Sequence, residues 1–364
     1  MESKINRITD ILRRDDGISG AMHYTEQISW VLFLKFLADL EESKAEDAEL
    51  AGQVYSFVME EKYRWQNWAV LKVNGKKDVI NSKSGDDLLD FVNKELFPYL
   101  KSFKNITENP KSIKYKIGAI FEYLDNRIAN GHTLREVLDI IDEMDFHNQS
   151  DLFQLSLIYE KLLKDMGSDG GNSGEFYTPR PLIKVMVDVI NPTIGQTIYD
   201  PAVGSCGFLI EAYNHIRYED LQTNKQRELS TENLRFLNED TFFGNEKTPL
   251  SYVMGVMNMI LHGIESPNIS KANTLTRDIR GLEEKDRYDV ILANPPFGGK
   301  EKEQIQQNFP IKSNATELLF LQHMMNHLKL GGKCAVVIPE GVLFQTNNAF
   351  ASVKKDLLER FNVH

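Results

Sequence analysis

The residues best suited to do chemistry are Asn294, Pro295, Pro296 and Phe297, which end the apolar run "YDVILA" and precede two glycines. Neither proline has an N–H, and a residue before proline is kept out of the α region. Asn294 and Pro295 are therefore extended, and the turn offers two fixed acceptors, the Asn294 side-chain oxygen and the Pro295 carbonyl. That pair suits a planar ligand with an exocyclic amino group. The lone pair of an aryl amine is delocalised into its ring, and accepting its N–H bonds from one side turns that pair toward an electrophile. With an alkyl sulfonium as electrophile, positioning and electrostatics carry the reaction without a strong base. Phe297 can stack on the ring, and a nucleobase would have to flip out of a duplex to reach it. The bland alternative is a proline-rich strand cap. The preceding strand and an upstream glycine turn weigh against it.

That glycine turn lies in "IYDPAVGSCGFLIEA" (198–212). A strand ends at Tyr199, Asp200 and a proline follow, and Gly204 and Gly207 permit a tight turn into a helix whose N-terminus a ligand can approach. The spacing is G-x-x-G rather than the dinucleotide G-x-G-x-x-G, and alone it would read as a strand-to-helix connector. A second strand ends in "FFGNEK", which puts Glu246 at its carboxyl end, where an acidic side chain can accept from two ribose hydroxyls. Asp200, Gly204, Gly207 and Glu246 together fit a nucleoside-bearing ligand without saying which.

These positions need a scaffold. After residue 175, short apolar runs alternate with helical patterns: "QTIYD" then "GFLIEAYNHI", "FFGNE" then "LSYVMGVMNMILHG", "ISKAN", "YDVILAN" then "TELLFLQHMMNHL", "KCAVVIP" then "FASVKKDLLERF". The alternation predicts an α/β fold, a doubly wound, Rossmann-like parallel sheet. Residues 218–240 read as an insertion between the first helix and the second strand. Residues 1–166 instead read as an all-α N-terminal domain, with helical spacing in "YTEQISWVLFLKFLADLEE" and again through Ile113, Ile117, Ile120, Phe121 and Leu124. Residues 71–87 read as turns and loop, and "DLFQLSLIYEKLLKDM" as a helix capped by Asp151. The glycine-rich stretch 167–174 reads as a flexible linker, and 175–364 as the catalytic domain.

Composition narrows the setting. Of 364 residues, 41% are hydrophobic and 26% charged, and there is no apolar signal core or span-length apolar stretch, so a cytoplasmic protein without membrane contact is expected. The two cysteines, Cys206 and Cys334, have no metal-ligand or redox spacing, and free thiols with no bound metal are expected. The formal net charge of −11 is the wrong sign for holding DNA unaided, so a partner would supply much of the grip. The basic run 101–116 reads as solvated surface before phosphate contact. No Walker A pattern is present, so no P-loop ATP site is expected in this chain.

At these residues the sequence resembles the amino-methyltransferases that use S-adenosylmethionine, and specifically the modification subunits of type I restriction-modification systems. The resemblance rests on "DPAVGSCGFL", "NPPF" and "GEFYTPR" (174–180), on the intervening "GNEKTPLSYVMGVMNMILHGIE" and "ANTLTRD", and on the N-terminal "ILRRDDGISGAMHYTEQISWVLFLKFLADLEE". It implies N6 methylation of a flipped adenine in DNA. It also implies that Glu175, Phe176, Tyr177, Thr178, Pro179 and Arg180, with Ser205, Cys206 and Gly207, line the S-adenosylmethionine site. Asp200 would lie near the methionine amino end, Glu246 would hold the ribose, and Asn273 would face the cofactor adenine, where many relatives have Asp. Asp278 could add an adenine contact but reads first as a loop carboxylate. The implied partners are DNA, a specificity subunit, a second modification subunit and a restriction subunit. The resemblance further implies that the chain, ending at "LLERFNVH", lacks the family's C-terminal end. Two other readings remain: a methyltransferase for cytosine amines or protein glutamine, and a shortened, non-catalytic cofactor-binding or assembly module.

Overall fold

The computed structural model describes residues 2–73, 75–147, 149–168, 178–221, 223, 225–264 and 266–364. It divides into two compact units, Met1–Tyr177 with Val256–Ser266, and Thr178–Gly255 with Pro267–His364.

The first unit is almost entirely helical. Its central helix, Ala21–Leu50, buries Ile28 and every residue from Trp30 to Leu37. A run buried on all sides is the mark of a helix enclosed by others rather than one lying on a surface. Two polar groups inside it are paired: Lys35 with Asp39, whose other oxygen accepts from Phe146 N at 3.1 Å. Asp39, Glu42 and His147 come close enough to share a cation, but Lys35 already neutralises Asp39, and His147 is bonded to Asp145. In the basic run, Lys101 pairs with Asp125 at 3.0 Å and Lys104 with Glu122 at 2.6 Å, so these two lysines serve the unit's own surface.

Two local expectations change here. Residues 71–87 are not all loop, since Lys72–Val73 pairs antiparallel with Lys76–Lys77 around Gly75, whose φ of 75° closes the turn. The helix expected to start after Asp151 runs Gln149–Ser168, so Asp151 falls inside its first turn. Most of the expected linker, residues 169–174, lies outside the described residues.

The second unit is built on five parallel strands, β1 (Ile198–Asp200), β2 (Phe242–Glu246), β3 (Asn268–Lys271), β4 (Tyr288–Ala293) and β5 (Leu328–Val336), in the order β3-β2-β1-β4-β5. Chain order reverses between β1 and β4, the switch point at which ligands bind in doubly wound sheets. Helices Arg180–Ile190 and Gly207–Arg217 pack together on one face, and Thr316–His327 with Asn348–Arg360 on the other. The tight contact of β2 with the loop after β1 requires Gly244, where a Cβ would come within 2.2 Å of Val203. The segment 218–240 holds a short ladder, Tyr218–Asp220 with Lys225–Gln226, and then the helix Thr231–Glu239, capped by Ser230. Strand β5 starts earlier than "KCAVVIP" suggests, because Gly331 at φ 76° and a register shift carry the pairing back to Leu328. Among the described residues, no helix is long and apolar enough to cross a membrane.

Candidate active site

Strand register places the chemistry. Asp200 pairs with Gly244 on β2, and Tyr199 pairs with Ile291 on β4. Glu246 and Asn294 therefore each lie two residues beyond the level of Asp200, about 6–7 Å further toward the carboxyl edge. The β1 loop sits between them.

That loop is held by its own backbone. Gly204 has φ 51°, Cys206 has φ 63°, and Cys206 N donates to Val203 O at 2.7 Å. Two left-handed residues in so short a turn redirect the chain into the helix starting at Gly207. Cys206 is a non-glycine in that conformation; its thiol is fully buried, and burial with the nearby Asp200 and Glu246 pushes its pKa up. The side chain points to helix Pro249–Leu261, where a Cβ on Gly255 would come within 2.8 Å of Sγ.

Two carboxylates organise the loop. Asp200 is buried and accepts from Ala202 N at 2.9 Å. Burial, opposed by that bond and reinforced by Glu246, raises its pKa to about 8. Glu246, also buried, accepts from Gly204 N at 3.0 Å and Thr248 N at 2.7 Å. Each carboxylate oxygen can accept more than one bond, so both groups keep capacity for an ammonium or a ribose diol. This pair and the glycine turn fit the donor set of S-adenosylmethionine.

Asn273 follows β3, and its Oδ1 caps the turn Thr274–Thr276 by accepting from Leu275 N at 3.1 Å. Thr274 Oγ1 donates to Pro201 O at 2.5 Å, tying this turn to the β1 loop. Asp278 has both oxygens engaged by Arg280, which holds its pKa near 2, as a loop carboxylate would.

The Asn294–Phe297 turn follows β4. Asn294 Nδ2 donates to Thr178 Oγ1 at 3.2 Å, and Asn294 Oδ1 is buried with no donor among the described residues. An unpaired buried carboxamide oxygen is costly unless a ligand N–H meets it. Pro295 is buried, Pro296 exposed, and Phe297 45% exposed, which leaves an aromatic face open beside the acceptor. Beyond it, Lys300 bridges to Ala315 and Thr316 N donates to Gly299 O at 3.2 Å, so the loop is anchored.

Of the segment expected to line the cofactor site, Glu175, Phe176 and Tyr177 lie outside the described residues. Thr178 stands against Asn294, Pro179 precedes the helix Arg180–Ile190, and Arg180 Nη1 donates to Gly207 O at 3.1 Å. Burial lowers the Arg180 pKa to about 10, so it remains a cation at neutral pH. Sequence reasoning passed over Tyr199, Asn245, His323 and Thr316. The i, i+4 pair His323 and His327 in a largely buried helix was the available signal.

Comparison with known proteins places the chain among DNA methylases. Residues 148–364 match the family model described as N-6 DNA Methylase, and residues 1–151 match the HsdM N-terminal domain. The chain is 37% identical to the type I restriction enzyme EcoEI methylase subunit of Escherichia coli, over the whole chain and 70% of that protein. It is 28% identical to the EcoKI methylase subunit of Escherichia coli K12, over the whole chain and 62% of that protein. Among solved structures, a chain from a type I R-M system shares 42% identity at a TM-score of 0.80, covering all of this chain and 68% of that one. A modification subunit of a type I restriction enzyme from Vibrio vulnificus YJ016 shares 35% identity at 0.83, covering 98% of this chain and 75% of that one.

Proposed function

Because this chain belongs to the N-6 DNA methylase family and is related along its whole length to type I methylase subunits, we propose that it is the modification subunit of a type I restriction-modification system. It methylates the N6 amine of adenine in DNA. The observation that carries this reading is the buried Asn294 Oδ1, unpaired beside the exposed Phe297 at the switch point of the sheet.

S-adenosylmethionine supplies an electrophilic methyl group on a sulfonium. Asp200 receives its ammonium end and Glu246 its ribose, while Asn273 and the 178–180 segment border the same site. Phe297 stacks on the flipped adenine. Asn294 Oδ1 and the Pro295 carbonyl accept the two N6 protons, which directs the nitrogen lone pair away from the ring. Both acceptors also stabilise the positive charge that grows on N6 during transfer, before the surplus proton leaves to water. Thr178 holds the other end of the Asn294 amide, so the oxygen cannot rotate out of line.

The acidic net charge fits a division in which a specificity subunit reads the sequence and supplies much of the DNA grip, with a second modification subunit and a restriction subunit completing the assembly in the cytoplasm. The test is incubation of the chain with its specificity subunit, S-adenosylmethionine and unmodified genomic DNA, followed by modified-base sequencing. N6-methyladenine at one recurrent sequence supports the reading. Methylated cytosine, or cofactor binding without any transfer, contradicts it.

A further inference from the structure

A chain of buried and half-buried polar groups crosses the sheet face opposite the two carboxylates. Side chains alternate along a strand, so Tyr199 and Asn245 project away from the side of Asp200 and Glu246, their neighbours in sequence. Asn245 Nδ2 donates to Tyr199 Oη at 2.9 Å, and Oη lies 3.0 Å from His323 Nε2 on the helix Thr316–His327. A tyrosine hydroxyl can accept from Asn245 and donate to Nε2 at the same time, an arrangement in which His323 carries its proton on Nδ1. Tyr199 also stacks on Tyr288 with ring centroids 4.4 Å apart, and His323 stacks on His327 at 3.7 Å. Burial lowers the pKa of both imidazoles, to about 4 for His327, so they act through neutral hydrogen bonds.

The arrangement is an expensive way to fill a core. His323 Nδ1 and His327 Nε2 are both buried without a partner among the described residues, whereas apolar side chains of the same volume would leave nothing unsatisfied. What apolar side chains could not do is fix β1, β2 and the helix in one register.

The other end of the same helix holds the catalytic loop. Thr316 N bonds to Gly299 O, and a Cβ on Gly299 would lie 2.6 Å from Thr316 Oγ1, so the loop rests directly on the helix. Thr316 and His323 are two turns apart on one side of it, about 10 Å along the axis.

We propose that the helix Thr316–His327 is a strut that sets the spacing between the Asn294–Phe297 loop and the Asp200–Glu246 cradle. Tyr199, Asn245 and His323 are the positioning residues at one end and Thr316 at the other. The meaning of that spacing rests on the methyltransferase reading; the mechanical coupling does not.

Three variants of the whole chain separate bonding from packing. Tyr199→Phe keeps the ring and removes the hydroxyl, His323→Leu removes the acceptor, and His323→Gln offers an amide oxygen in its place. Hydrogen exchange without cofactor reads the coupling through the amides of Gly204 and Thr248, which donate to Glu246, and of Thr316. In Tyr199→Phe and His323→Leu all three should exchange at least tenfold faster, with helix Gly131–Asp142 unchanged and His323→Gln near wild type. The same two variants should bind S-adenosylmethionine three- to tenfold more weakly and slow single-turnover methylation at saturating cofactor at least tenfold, and their double variant should be no worse than either. Unchanged exchange at these amides, additive effects in the double variant, or a His323→Gln as impaired as His323→Leu would overturn the proposal. A wild-type chain that fails to bind S-adenosylmethionine would defeat the methyltransferase reading, and the exchange measurement would still decide the strut.

Discussion

Asn294 donates from Nδ2 to Thr178 Oγ1 at 3.2 Å, while its Oδ1 is buried and meets no donor among the described residues. One end of the amide is thereby fixed and the other is left to accept, which is the orientation an incoming N–H requires. Thr178, expected from the sequence to line the cofactor site, also stands against Asn294. Removing the hydroxyl with Thr178→Val should slow methyl transfer about tenfold, the worth of roughly 1.4 kcal/mol of transition-state alignment. Cofactor affinity should stay within twofold. Single-turnover kinetics beside calorimetry would check both, and a cofactor loss as large as the rate loss would show that Thr178 acts through the cofactor rather than through Asn294.

Glu246 ties the site together by accepting from Gly204 and Thr248. Glu246→Ala should weaken S-adenosylmethionine binding by roughly 1–3 kcal/mol, through lost bonds to a charged group and a loosened Gly204 turn. An unchanged dissociation constant would contradict the ribose assignment.

Asp200 should make cofactor binding pH-dependent. Its pKa rises from an ordinary 3.8 to about 8 on burial, so the folded chain keeps a proton that the unfolded chain has released. The stability this contributes is full below pH 4 and is lost as the pH rises through about 8. A cationic ligand needs the ionised form, so binding at pH 7 should release a proton and affinity should increase from pH 6 to pH 8. Calorimetry in buffers of different ionisation enthalpy would show the release, and Asp200→Asn should abolish it.

Cys206 holds a left-handed conformation that disfavours side chains, yet its thiol fills the space at Gly255. Cys206→Gly should therefore be nearly neutral, within about 1 kcal/mol, because relief of backbone strain offsets lost packing. Cys206→Val should cost at least about 2 kcal/mol, since a β-branched side chain adds strain and bulk. Thermal melts of both variants would check the contrast, and equal melting temperatures would show that the turn is not constrained.

The sequence was legible where chemistry leaves a local mark. Proline, glycine and acidic residues at strand ends pointed to Asp200, Gly204, Glu246 and Asn294 as candidates because each lies within a few residues of a strand-to-turn transition. The bonding among Tyr199, Asn245 and His323 was not legible, since these partners are 46 and 124 residues apart and a tyrosine in a short strand reads as ordinary core. Asn273 shows a different limit. Its place after β3 could be read, but not that its side chain caps the next turn. The all-round burial of Trp30–Leu37 was half legible, because an apolar run shows that a helix is enclosed without showing by what.

The central claim is that Asn294 directs the target amine of adenine. Its most direct test is single-turnover methylation by Asn294→Ala, in complex with the specificity subunit, on DNA carrying the recognised site, with product nucleosides identified by mass spectrometry. The account predicts N6-methyladenine from wild type and a rate at least a hundredfold lower in the variant, about 2.7 kcal/mol of lost transition-state stabilisation, with cofactor affinity within twofold. A variant that methylates at the wild-type rate, or loses its activity only in step with cofactor binding and melting temperature, would contradict it.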